Sequence, residues 1–112
     1  MLSLMILYVA MGLLQAGLAV PLIQRRIKPN PWYGFRVPKT LHNERIWYAA
    51  NFRAGVLFFL AGMGFAASAI LLAPIAWLLG LGRDGYVLLC TLIMVGSLLW
   101  ATVESFRYLS KL

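Results

Sequence analysis

Three long apolar stretches, separated by one polar loop and one short glycine-rich turn, set the layout of this 112-residue chain. The first runs from about Leu2 to Ile23, with Ser3 and Gln15 as its clearly polar side chains. The second runs from about Ala54 to Ala73 and the third from about Tyr86 to Tyr108. A hydrocarbon core of roughly 30 Å needs about 20 helical residues, so each stretch is long enough to cross a bilayer. Within them the small and polar positions keep helical spacing. Tyr8, Gly12, Gln15 and Ala19 form one such stripe, and Gly55, Gly62, Ala66 and Ala69 form another, both suited to close helix packing. Gln15 at membrane depth needs a hydrogen-bond partner. On the third span Ser97, Trp100, Glu104, Arg107 and Tyr108 share a face. The expected fold is all-α: an integral membrane three-helix bundle, one domain over residues 1–112, with an ordered cytoplasmic loop between helices 1 and 2.

Prolines and glycines mark the borders. Pro21 is expected to end or kink the first helix, and Pro74 to end or bend the second. Pro29 and Pro31 around Asn30 forbid helix there and favour a turning path, and Pro38 blocks helix again. Thr40 or Asn43 can cap a new helix, with Glu44 in its first turn where a negative charge suits the dipole. From Asn43 that helix is expected to run on into the second span. Glu44, Trp47, Tyr48, Asn51 and Gly55 then lie on one polar and aromatic face. The run from Gly80 to Gly85 reads as a short turn.

Composition settles the class. Charged residues make up 12%, about half the soluble norm of roughly 25%, so this chain cannot clothe itself in a water-facing surface. A cleaved signal peptide is disfavoured for the first span, which has no basic leader and too long an apolar run. Arg25, Arg26, Lys28, Arg36, Lys39, Arg45 and Arg53 flank or lie in the first loop, and Arg107 and Lys111 lie near the C-terminus, whereas the opposite side holds Arg83 and the amino terminus. This bias places the first loop and the C-terminus in the cytoplasm and the N-terminus outside. The net charge of +7 is accounted for by topology and anionic lipid headgroups, and no nucleic-acid partner is expected.

Catalytic chemistry has little to stand on. The chain offers His42, Cys90 within an apolar span, and the carboxylates Glu44, Asp84 and Glu104. His42 and Glu44 are two apart and point to different faces of a helix, so they are poor joint ligands for a metal. No cofactor and no enzymatic activity are expected. Arg36 stands out as a planar fork able to hold a phosphate, a lipid headgroup or a carboxylate. We expect it to pair with Glu44 or Glu104 and so pin the loop under the bundle. Trp32, Trp47 and Trp100 are expected as interfacial anchors, Asn51 to bond the loop or a neighbouring helix, and Glu104 either to serve function or to snorkel beside Arg107.

The run from Asn30 to Leu41, comprising Trp32, Tyr33, Gly34, Phe35, Arg36, Pro38 and Thr40, followed by Asn43, Glu44, Ile46, Trp47 and Asn51, resembles the signature of the SdpI family of bacterial membrane proteins. Val37 departs from the pattern, which usually has Thr there. The resemblance implies a membrane protein that protects a cell from a secreted antimicrobial peptide by binding it, without turnover. It also implies signalling through a cytoplasmic regulator drawn to the membrane; larger members carry further spans before this module. The motif residues Asn30, Trp32, Gly34, Arg36, Pro38, Thr40, Asn43, Glu44, Trp47 and Asn51, with Gln15 and Glu104 inside the spans, are the candidate partner-binding and functional positions. The alternative is a small accessory or structural subunit of a larger membrane complex; transport would have to use Gln15, Asn51 and Glu104. Small-residue seams permit a homo-oligomer.

Overall fold

The computed structural model describes residues 2–112. It contains α1 (Leu2–Ile23), a single turn α2 (Pro38–Leu41), α3 (Glu44–Leu78) and α4 (Gly82–Ser110). α1, α3 and α4 are each long and apolar enough to cross a membrane. The protein is an all-helical multi-pass membrane protein.

α3 is the mast of the bundle, with α1 and α4 packed along it. Its 35 residues rise about 52 Å at 1.5 Å per residue, well beyond the roughly 30 Å of a hydrocarbon core. The surplus lies at its N-terminal end, where the loop from Gln24 to Asn43 folds back against it. Asn43 starts α3 with its side chain accepting from the Ile46 N–H at 3.2 Å. Thr40, the other expected cap, caps nothing in α3 and works within the loop instead.

α1 and α3 approach to backbone contact. A Cβ placed on Gly12 would lie 2.5 Å from the Gly62 carbonyl oxygen, and one on Gly62 would lie 2.6 Å from that of Gly12. Ala16, Ala19, Gly55, Ala66 and Ala69 are buried along the same seam. With lipid on the outside there is little hydrophobic gain in bringing two apolar helices together, so such close contact supplies the packing energy. All three long helices meet near the short turn: the Tyr8 ring lies edge-on to Phe65 at 5.8 Å and to Tyr86 at 6.0 Å between centroids. Tyr86 donates its hydroxyl to the Ala69 carbonyl at 2.7 Å, which satisfies a fully buried polar atom.

Of the two outcomes expected at Pro74, an end to the helix is excluded, since α3 continues to Leu78. A proline inside a membrane helix removes one amide donor and leaves the flanking turns intact where neighbours re-satisfy the backbone. The glycine-rich turn is also shorter than its composition suggests, because α4 already begins at Gly82. Pro21 sits in the last turn of α1, which ends two residues later. That end closes with the Arg26 N–H bonded to the Pro21 carbonyl and the Arg25 N–H to that of Leu22, while Arg25 takes a left-handed conformation at φ 58°. The Arg25 guanidinium lies 5.1 Å above the Phe52 ring.

Candidate functional site

The polar loop folds as a clasp around the first two turns of α3, built largely from side chains that bond to backbone. Asn30, held between two prolines, organises its first half. Its Oδ1 accepts from the Trp32 and Tyr33 amides at 2.8 and 2.7 Å, and its Nδ2 donates to the carbonyls of Lys28 and Tyr33 at 2.7 and 3.2 Å. An amide side chain is needed for this because it carries both an acceptor and two donors.

Asn51, one residue beyond the second turn of α3, organises the other half. Its Oδ1 accepts from the Phe35 N–H at 2.5 Å, and its Nδ2 donates to the Trp47 carbonyl at 2.9 Å and weakly to that of Phe35 at 3.4 Å. Gly34 lets the chain come this close. A Cβ there would sit 2.7 Å from Asn51 Oδ1 and 3.3 Å from the Trp47 ring, and its φ of +111° lies in the region that side chains avoid. Thr40, wholly buried, accepts from the Val37 N–H at 3.0 Å, and the Phe35 and Val37 carbonyls lie within reach of its one proton. Pro38 opens α2 at its first position, where its missing N–H costs nothing.

Four long-range ties hold the clasp to the bundle. Trp47 is fully buried, and its indole N–H donates to the Ile27 carbonyl at 2.9 Å. The Tyr33 hydroxyl donates to the Leu18 carbonyl on α1, and burial pushes its pKa above the usual 10.0, so it remains a donor. Phe35 meets Phe106 of α4 edge-on at 4.9 Å. Lys39 Nζ donates to the Leu109 carbonyl near the C-terminal end of α4 at 2.9 Å. A cation there also complements the helix dipole.

The structure places the remaining candidates as follows. Arg36 pairs with neither Glu44 nor Glu104, contrary to expectation. Its guanidinium donates to the Pro31 carbonyl and, through Nε at 3.3 Å, to that of Gly34. The loop turns its own carbonyls towards this fork, and the one ion pair among the described residues is Arg107–Glu104, at 2.9 Å on the same helix face. Glu44 and Asn43 lie exposed at the start of α3. Trp47 is not an interfacial anchor but the centre of the clasp, whereas Trp32 projects outward at 84% exposure and Trp100 is exposed on α4. Gln15 donates to the Phe58 carbonyl on α3 at 3.0 Å, away from Asn51 and Glu104. No buried side-chain nitrogen or oxygen among the described residues lacks a partner.

Sequence reasoning assigned no site role to Tyr33 or Phe35, yet these two residues join the loop to α1 and α4. Their aromatic character was legible; which helix each would meet was not. Behind them lies a cavity of about 590 Å³, floored by Ala54 and Phe58 of α3 and walled by α1 and α4. Gly34, Phe35 and Arg36 close its loop end.

Compared with known proteins, residues 26–103 match the model of the SdpI/YfhL protein family, a stretch that begins just past the end of α1 and takes in nearly all of the loop, α3 and most of α4. No curated protein and no solved structure matches the chain.

Proposed function

As this chain belongs to the SdpI/YfhL family, a family of membrane immunity-type proteins, we propose that it protects a bacterial cell from a secreted antimicrobial peptide by binding, without turnover. The observation that carries this reading is the family match across the clasp, whose motif residues form one cooperative unit at the most charged end of the bundle. The arrangement also suits signalling: a rigid cap joined by Tyr33, Phe35 and Lys39 to both outer helices would feel a change in their spacing. A ligand that bound one spacing better than another would shift the cap accordingly.

The bundle sits in the cytoplasmic membrane with the clasp and the C-terminus inside and the N-terminus outside. Nine of the ten Lys and Arg residues, all but Arg83, support this orientation, since they gather at the clasp end. Anionic headgroups are natural partners for them.

The test is deletion of the gene in its native host, challenge with peptide toxins of the secreted cannibalism type, and complementation. Restored resistance with the wild-type chain but not with Trp47→Ala, at equal membrane abundance, is the expected result. Unchanged sensitivity after deletion, together with recovery of the tagged chain in fixed stoichiometry within one large complex, would replace immunity with an accessory-subunit role.

A further inference from the structure

The structure assigns a second property to the clasp end: the cavity between α1 and α4 is a binding site for one anionic phospholipid, with an acyl chain in the cavity and the phosphate at Arg36. A lipid site here stands whether or not the protein confers immunity.

The gap arises from how the helices meet. α1 and α4 touch through Tyr8 and Tyr86 near the short turn, but towards the clasp they stand apart across Ala54 and Phe58. Exposure of Leu14, Leu18 and Phe106 at its rim leaves the cavity open on its lipid-facing side. An empty apolar cleft forfeits dispersion contacts along its whole lining, so matter from the surrounding bilayer will fill it.

Dimensions and chemistry select the occupant. On α1 the cavity extends from Met11 to Leu22, a rise of about 17 Å. That is close to half of a roughly 30 Å hydrocarbon core, the depth of a single leaflet. The polar side chains in the wall present little to a ligand, because Gln15, Thr102 and Ser105 donate to the carbonyls of Phe58, Leu98 and Ala101. Among the described residues, Arg36 is the only charged one lining the cavity, and no carboxylate among them opposes it. Its two hydrogen bonds to loop carbonyls fix the guanidinium and leave three of its five N–H donors free for a phosphate. A cation at headgroup level above a leaflet-deep apolar slot matches an anionic lipid.

The test uses the full chain reconstituted in vesicles of equimolar phosphatidylglycerol and phosphatidylcholine with identical acyl chains. After extraction in mild detergent, native mass spectrometry identifies the lipids retained. The expected result is one phosphatidylglycerol per chain, favoured over phosphatidylcholine by about tenfold, because both lipids offer the same phosphate but choline adds an ammonium that the Arg36 guanidinium repels. Arg36→Gln should abolish that preference and Arg36→Lys should keep it. Leu14→Trp and Thr102→Trp, both at exposed lining positions outside the loop, should displace lipid of either kind by filling the slot. Glycerol phosphate, which lacks acyl chains, should not compete. Equal retention of the two lipids would overturn the proposal, as would retention unaffected by both tryptophan variants. A lipid-free dimer in which those tryptophans disrupt self-association would give the cavity to a second copy instead. Should Arg36→Gln fail to insert, the tryptophan variants and Arg36→Lys still decide.

Discussion

Replacing Asn51 with Ala removes the pin on which the clasp turns, and its cost can be worked from the contacts. Asn51 is 2% exposed, so water cannot step in for the lost amide. The Phe35 N–H loses its 2.5 Å acceptor and becomes a part-buried orphan, at a cost of about 1–3 kcal/mol. The Trp47 carbonyl loses a second donor but keeps its helical bond from the Asn51 backbone, so that loss is small. The 3.4 Å contact to the Phe35 carbonyl adds little. A total of about 1–3 kcal/mol follows, which raises the open population of the loop by about 5- to 150-fold. Hydrogen exchange on the protein in nanodiscs reads this directly, because amides of residues 30–41 should exchange faster by that factor while those of α1 and of α3 beyond Gly55 hold their protection. His42→Ala, at an exposed position without a side-chain bond, is the matched control. If Asn51→Ala left the protection of the Phe35 amide unchanged, Asn51 would not be what holds the loop.

Two further substitution pairs probe the same clasp. Gly34→Ala introduces about 1–3 kcal/mol of backbone strain at φ +111° and drives a methyl group against Asn51, so the loop should become sensitive to trypsin at Arg36 and Lys39; Gly17→Ala, with nothing within 4 Å of the new methyl, should not change the digest. Trp47→Phe strands the Ile27 carbonyl at about 1–3 kcal/mol and should speed exchange around Ile27, whereas Trp32→Phe, at a site 84% exposed, should fall within about 0.5 kcal/mol of wild type.

These contrasts show how far the linear chain could be read. Spans, loop and charge bias were legible because a bilayer imposes one-dimensional rules: thickness fixes helix length, and unsatisfied backbone is forbidden inside. The Asn30–Asn51 motif was legible as a unit, and the turn at Asn30 follows from its prolines. Pro74 does not stop α3 because proline is a weaker stop in a membrane helix than its behaviour in water suggests.

By itself, then, the sequence determined the class, the three spans and the place where polar chemistry is concentrated. Periodicity assigns a residue to a face of its own helix and says nothing about what stands opposite. Only the tertiary structure decided that Arg36 would be held by the carbonyls of Pro31 and Gly34 while Glu104 took Arg107. The same holds for Trp47, whose indole is an amphipathic group equally at home in a membrane interface or, given the Ile27 carbonyl, at zero exposure. The cavity is the extreme case. It belongs to no element, and it exists because α1 and α4 each prefer α3 to one another, a competition settled by the Gly12–Gly62 contact of α1 with α3 and the Tyr86–Ala69 hydrogen bond of α4 with α3.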